Sequence, residues 1–397
     1  MTGPRVTQVV GTISGGTAGH VAMLAAGCRA QGLTVSVIGP AAARPWFSGT
    51  GAEFTVAEIG DRPHPARDVA AIVRLRRLLR RAAPDVAHAH GMRAGAFAAL
   101  ALAGTRQRRP GLRGAGRSQA GRAAAGRAGP ALLVTVHNAA PDARLAAAVY
   151  RILERIVARR ADAVLCASGD LAARMRQLGA RDTAQAVVAA PQAGPPPEAA
   201  VSAARSDLGA GPRPVLLTAG RLAAQKGLDV LLAAAASWRN RDPAPVLAIA
   251  GAGPLAADLA GRAEASGLDV RFLGHREDVP ALLAAADVVV VPSRWEARAL
   301  IVQEALLAGK PVVASRVGGI PDITGDDGAI LVPPGDPAAL AAAVLSLLDD
   351  PALASRLSAA ARRRAAALPS EADAVAAAVA MYHRLASEAA RPASKSA

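Results

Sequence analysis

The sequence predicts an α/β protein built from two doubly wound parallel sheets. Short apolar runs alternate with longer amphipathic or alanine-rich stretches in both halves, which is the pattern of strands joined by crossover helices. A stretch at 191–214 holding Pro191, Pro195, Pro196, Pro197, Pro212 and Pro214 separates the two series and reads as a linker. The 397 residues suffice for two full cores.

In order, residues 6–10 read as the first strand, 11–19 as a glycine-rich loop and 20–31 as a helix. Residues 35–39 form the next strand. The helix at 67–81 is read with Val69, Ile72, Leu75 and Leu79 on one stripe and arginines elsewhere. Residues 84–90 and 131–137 read as strands ending in His90 and His137, and 161–168 as a further short apolar run. The reading places His88 and His90 on opposite faces of their strand, leaving no metal pair.

After the prolines come strands at 215–219, 246–250, 270–273, 287–292 and 311–315, with a helix from Gly227. The expected organisation is an N-terminal domain at 1–190 with a flexible basic insert at 104–130, the linker, and a second domain at 215–368. A helix at 369–388 is expected to cross back to the first domain, followed by a disordered tail at 389–397. Two such domains on a hinge would face each other across a cleft.

Composition narrows the function classes. Of the net charge of +15, nearly half sits in the insert, whose seven arginines have no acid among them. Lysine occurs at only three positions, Lys226, Lys310 and Lys395, so a lysine inside a motif is informative. Cys28 and Cys166 have neither metal spacing nor the density of a disulfide framework, and no run approaches a membrane span. The expectation is a cytoplasmic protein. The basic helix at 67–81 resembles a surface that contacts anionic membrane, giving a peripheral location at its inner face, although a solvated helix face has the same pattern.

The chemistry concentrates at the ends of strands in the second half. Gly220–Gly227 (GRLAAQKG) follows a strand and sets Arg221 and Lys226 five residues apart. Two cations beside a helix N-terminus can hold a diphosphate, or can be ordinary surface charges at a turn. Gly251 and Gly253 lie in a GAGP turn after the next strand. Glu296 stands at the mouth of a helix and Glu304 two turns on, between a buried strand and a GGIP turn. Carboxylates so placed can accept from sugar and ribose hydroxyls, or can be exposed helix acids.

The ordered set GRLxxxKG, GxGP, E-x7-E, AGKPVV and GGIP, with GG-x3-HV, DVAHAHG and TVHN in the first half, resembles the retaining glycosyltransferases of family 4. The resemblance extends over about 6–385 and implies the GT-B fold, two Rossmann-like domains facing an interdomain cleft. It implies that Arg221 and Lys226 bind the donor diphosphate, Glu304 the ribose and Glu296 the hydroxyls of the sugar. Ala297, Arg298 and Ala299 stand where the family grips the sugar through backbone amides, usually as Gly-Phe-Gly, and Leu300 follows them. Gly16, Gly220, Gly251 and Gly253 fall along the donor, Gly15, His20 and His90 on the acceptor side, and His137 at the reacting centre. The implied reaction moves a hexosyl group from a nucleoside-diphosphate sugar to an acceptor with retention. It needs neither cofactor nor metal, because the cations and helix dipoles stabilise the leaving diphosphate.

Other classes fit less well. The first acid in the chain is Glu53, so no ribose-binding carboxylate follows the first glycine loop as a dinucleotide fold requires. GxxxxGK[ST] and GxSxG are both missing. Nucleic-acid binding has the basic charge in its favour, but the chain has only nine Phe, Trp and Tyr residues and none interleaved with the arginines of the insert. A catalytically weak paralogue that binds a nucleotide sugar is the remaining alternative, raised by the Ala-Arg-Ala departure.

Overall fold

The computed structural model describes residues 3–11, 15–60, 63–104, 129–138, 144–192 and 194–390. Most of the expected insert and of the expected tail, at 105–128 and 391–397, lies outside the described residues. The chain divides into two compact units, one of Met1–Val187 with Ala372–Ala397 and one of Val188–Glu371.

The first unit begins with β1 (Arg5–Val10), α1 (Gly15–Ala30) and β2 (Thr34–Gly39), then a 3-10 turn at Ala41–Phe47. It continues through β3 (Glu53–Val56), α2 (Pro65–Ala82), β4 (Val86–His90), α3 (Met92–Ala101) and β5 (Ala131–Val136). It then runs through α4 (Arg144–Arg160), β6 (Ala163–Cys166), α5 (Gly169–Gln177) and β7 (Thr183–Gln185). Its seven strands are parallel in the order β3-β2-β1-β4-β5-β6-β7.

The second unit opens with α6 (Glu198–Asp207), β8 (Val215–Ala219), α7 (Leu228–Ala235), β9 (Val246–Ala250) and α8 (Ala256–Ala265). There follow β10 (Val270–Gly274), α9 (Val279–Ala285), β11 (Val288–Val291), α10 (Leu300–Leu307) and β12 (Val312–Ser315). It ends with α11 (Ile320–Thr324), β13 (Ile330–Val332), α12 (Pro337–Asp349) and α13 (Pro351–Ala366). Its six strands, also parallel, run β10-β9-β8-β11-β12-β13. β11 is four valines buried on both faces, as expected of a central parallel strand. Alternate residues feed two cores. Val215, Leu217, Val289 and Val291 pack under α6, α9 and α10, while Leu216, Val288 and Val290 pack under α7 and α12.

α14 (Glu371–Ala390) returns to the first unit, where Ala374, Val375, Ala378, Tyr382 and Leu385 join the core of Val6, Val35 and Leu133. No single helix among the described residues is long and apolar enough to cross a membrane.

Several expectations need correction. The stretch at 191–214 is not all linker, because it contains α6, whose Ala204 packs with Leu208 and Ala210 in the second unit's core. Four of its prolines precede the helix and two follow, so none breaks it. β3, β7 and β13 were not expected. They are edge strands of three or four residues, too short to carry a pattern. α1 starts at Gly15, so Gly15 and Gly16 are in its first turn and not in a loop. Val69 is 61% exposed, and the buried stripe of α2 is Ala71, Leu75 and Leu79. Six helical residues turn Val69 about 120° away from Leu75.

Candidate functional site

The strand order of the second sheet reverses between β8 and β11, and ligands of open α/β sheets bind at the carboxyl ends of strands at such a reversal. The loops that leave these two strands enclose a pocket lined by Gly220, Arg221, Lys226, Pro292, Ser293 and Ile301. Lys226 Nζ donates to Glu296 Oε1 at 2.5 Å, and Ser293 Oγ donates to the same oxygen at 2.7 Å. Glu296 is buried, at 5% exposure. Arg221 is exposed, and its side chain has no partner among the described residues.

The two loops are sewn together beside the pocket. Arg294 N donates to Gln225 O at 2.8 Å, and Gln225 Nε2 donates to Trp295 O at 2.8 Å. The Arg294 guanidinium grips both carboxylate oxygens of Asp229 at 2.7 Å, which holds that carboxyl below its usual range. Ser293, Gln225 and the Arg294–Asp229 pair were not anticipated. Their signal is weak in sequence: the partners of Gln225 and Arg294 lie 70 and 65 residues away, and Ser293, though only 3 residues from Glu296, is a residue type common in any loop.

Close packing of main chains explains the motif glycines. A Cβ on Gly251 (φ +138°) would sit 1.9 Å from Gly220 O, and one on Gly318 (φ +50°) 1.8 Å from Glu296 O. Gly319 N then donates to Glu296 O at 2.9 Å. Glu296 is therefore fixed from two sides, its side chain by Lys226 and Ser293 and its carbonyl by the GGIP turn. A Cβ on Gly253 would likewise meet Leu222 O at 2.3 Å.

α10 begins at Leu300, so Glu296 lies in the preceding loop and Glu304 only one turn into the helix. Its N-cap, Ala299, has no side-chain acceptor, and Ala297 and Ala299 are 5% and 2% exposed. The first amides of the helix therefore have no side-chain cap, which leaves a positive dipole end beside the pocket residue Ile301. Glu304 is partly buried, not exposed, and its side chain has no hydrogen bond among the described residues. Burial pushes its carboxyl above the usual range.

In the first unit the sheet order reverses between β1 and β4. His88 and His90 are on the same face of β4, rings 4.0 Å apart, because side chains two residues apart on a strand share a face. The expectation of opposite faces is thus overturned. His90 stacks on His137 at 5.9 Å, and His137 meets His20 edge-on at 6.4 Å. His88 is held at both nitrogens, Nδ1 by Tyr382 Oη and Nε2 by Thr135 Oγ1, each at 2.7 Å. By contrast His20 Nδ1, both nitrogens of His90 and His137 Nε2 are buried without a partner among the described residues. Burial lowers the pKa of His20 to about 4 and those of His88 and His137 to about 3, so the imidazoles are neutral at neutral pH. Among the described residues no group of three or more His, Cys, Asp or Glu side chains is placed to hold a metal. His20 is also buried.

Comparison with known proteins accounts for both halves. Residues 15–191 match the family model of the glycosyl transferase 4-like domain, and residues 203–364 that of the glycosyl transferases group 1. The alpha-D-kanosaminyltransferase of Streptomyces kanamyceticus is 36% identical over 161 residues, which cover 39% of this chain and 41% of that protein. The match thus spans less than half the length of that relative. Two solved structures share the fold: Anabaena HepE in complex with UDP-glucose (TM-score 0.74, 19% identity, 97% of this chain and 98% of that one) and sucrose-phosphate synthase from Thermosynechococcus elongatus (TM-score 0.75, 20% identity, 97% and 100%). With two parallel-sheet units and a family match in each half, the chain belongs to the group 1 glycosyl transferases of the GT-B fold, with a 4-like domain as its N-terminal half.

Proposed function

We propose that the protein transfers a hexosyl group from a nucleoside-diphosphate sugar to a hydroxyl-bearing acceptor with retention of configuration. The observation that carries this reading is the meeting of Lys226, Ser293 and Glu296 at the β8–β11 reversal, beside the uncapped N-terminus of α10. Arg221, Lys226 and the α10 amides take the departing diphosphate, supplying the charge that a metal supplies elsewhere. Glu296 accepts from the sugar hydroxyls, and Glu304 from the two ribose hydroxyls. The acceptor oxygen bonds to the anomeric carbon as the bond to the diphosphate breaks on the same face, and the acceptor proton passes to the leaving phosphate oxygen. His137, neutral, serves as a hydrogen-bonding group for the sugar and not as a base. His20 and His90 offer unpartnered nitrogens to the acceptor.

The test is turnover of a panel of nucleotide sugars in the presence of a chelator, with the product anomer read by NMR. Loss of turnover on chelation, or an inverted product, would contradict the respective part. Binding of nucleotide sugar without turnover would favour the weak-paralogue reading.

A cytoplasmic protein resting on an anionic membrane surface completes the reading. Val69 and Val73, 61% and 42% exposed, share a face of α2 with Arg77 and Arg80. Flotation with anionic vesicles at about 0.1 M salt should carry the protein, and Val69→Asp with Val73→Asp should abolish it.

A further inference from the structure

Lys226 and Glu296 each follow a residue that is pinned to the other's loop. Gln225, before Lys226, accepts from Arg294 N at its carbonyl and donates from its side chain to Trp295 O, each at 2.8 Å, and Trp295 precedes Glu296. On the other side of Lys226, Gly227 (φ +62°) passes so near Pro292 that a Cβ would sit 2.1 Å from the Pro292 oxygen. The loops of β8 and β11 are therefore held in register on both sides of Lys226.

The Arg294 guanidinium closes the outside of this joint. Besides its bonds to both oxygens of Asp229, in the first turn of α7, it donates to Ala224 O at 3.1 Å. One side chain so ties the loop of Glu296 to the 3-10 turn at Ala224–Lys226 and to the helix that follows it. The pocket lining includes Lys226 and Ser293 but not Arg294, Gln225 or Asp229, so the clamp stands behind the site. The side chains of Arg294 and Asp229 are 45% and 41% exposed, and an ion pair this open to water adds little to stability. A planar fork held at several acceptors nonetheless fixes position. At the pocket, the bonds from Lys226 and Ser293 both end on Glu296 Oε1, and Oε2 has none among the described residues. Which oxygen Glu296 presents to a ligand therefore depends on where Lys226 is held.

We propose that Arg294 is a positioning residue for the transfer reaction: by gripping Asp229 and the Ala224 carbonyl it holds Lys226 on Glu296 Oε1 and so leaves Oε2 for the donor sugar. This rests on the donor-site reading given above. A displacement of about 1 Å between groups that act on one transition state can lower the rate about a hundredfold, even when the substitution is away from the chemistry.

The experiment measures release of nucleoside diphosphate from UDP-glucose, ADP-glucose and GDP-mannose, and binding of the free diphosphates by calorimetry. For the donor that turns over, Arg294→Ala should lower kcat roughly tenfold to hundredfold, while KM and the Kd of the free diphosphate change by less than about threefold. Arg294→Lys should recover part of kcat, since an ammonium lacks the fork that spans both carboxylate oxygens. Asp229→Asn should also lower kcat, and its effect should not add to that of Arg294→Ala, because the two side chains act as one unit. Cooperative melting of each variant is the folding check. Arg213→Ala is the control: it removes a like clamp, on Asp269 and the Gly209 carbonyl, at the amino ends of β8 and β10, and should leave kcat unchanged. A kcat for Arg294→Ala equal to that of the control overturns the proposal and leaves the transferase reading intact. So does a parallel loss of diphosphate binding, which would put Arg294 on the ligand itself. Release from none of the donors by the native protein overturns both readings.

Discussion

Lys226 and Glu296, seventy residues apart in sequence, are joined Nζ to Oε1 at 2.5 Å at the mouth of the β8–β11 reversal. The cation assigned to the diphosphate and the carboxylate assigned to the sugar are thus paired with each other. A diphosphate must compete with Glu296 for Lys226, and this sets the sign of two substitutions. Lys226→Ala should weaken binding of a free nucleoside diphosphate by roughly tenfold to hundredfold, the worth of a charge-assisted contact. Glu296→Gln should do the reverse, leaving nucleoside diphosphate bound as tightly or more tightly, while turnover of the sugar donor collapses. Calorimetry and a turnover assay on the same two variants check the pair.

Gly318 is where the GGIP turn supports the site. Its φ of +50° and the 1.8 Å that would separate a Cβ from Glu296 O are both incompatible with a side chain. Gly318→Ala should cost at least about 2 kcal/mol and impair turnover beyond what the lost stability explains, because Glu296 must move. Gly267→Ala is the control. Its φ is +62°, with open space around its Cβ, so it bears only the conformational part, about 1 kcal/mol. Urea denaturation of the two variants gives the difference.

These residues also show why the second unit's site was legible and other features were not. Loops that pass within contact distance of one another leave glycines at fixed offsets, and the proposed diphosphate pocket would set cations among them. Gly220, Arg221, Lys226, Gly251, Glu296 and Gly318 could therefore be read from a single sequence. The clamp of Arg294 on Asp229 and the bond of Ser293 to Glu296 involve residue types common on any surface, so only the fold reveals them. α6 was hidden by the prolines on either side of it. The contact of Tyr382 with His88 spans 294 residues and has no local signature at all.

Burial of Glu304 predicts opposite effects on stability and binding. Its folded carboxyl has a raised pKa, so the ionised form is the disfavoured one. The stability it contributes is present below the pKa of the unfolded chain and is lost as pH rises through the folded value. At neutral pH Glu304→Gln should therefore raise the melting temperature of the ligand-free protein. It should also weaken donor binding, because an amide cannot accept from both ribose hydroxyls as a carboxylate does. In the native protein, donor affinity should fall on acidification at a higher pH than an ordinary glutamate would give. That phase should vanish in Glu304→Gln. Calorimetry from about pH 5 to about pH 8 tests the affinity and melting curves test the stability.

Tyr382 carries the docking of α14 on the first unit. Its side chain is fully buried, and its hydroxyl meets His88 Nδ1 at 2.7 Å, while Thr135 holds the other nitrogen. Tyr382→Phe keeps the ring in the core but leaves a buried imidazole nitrogen unsatisfied, which should cost about 1–3 kcal/mol in urea denaturation. Acid should act on the same cluster. His20, His88 and His137 are held neutral in the folded unit, with pKa values lowered to about 4, about 3 and about 3, whereas in the unfolded chain they take up protons near the ordinary histidine value. The unfolded state therefore binds more protons, and stability should fall as pH drops through that value towards the lowered ones. His88→Asn removes one titrating group, so the slope of stability against pH in that window should decrease by about one proton. An unchanged slope would mean that His88 is protonated in the folded protein, which its two buried hydroxyl partners, with no carboxylate acting on it among the described residues, do not support.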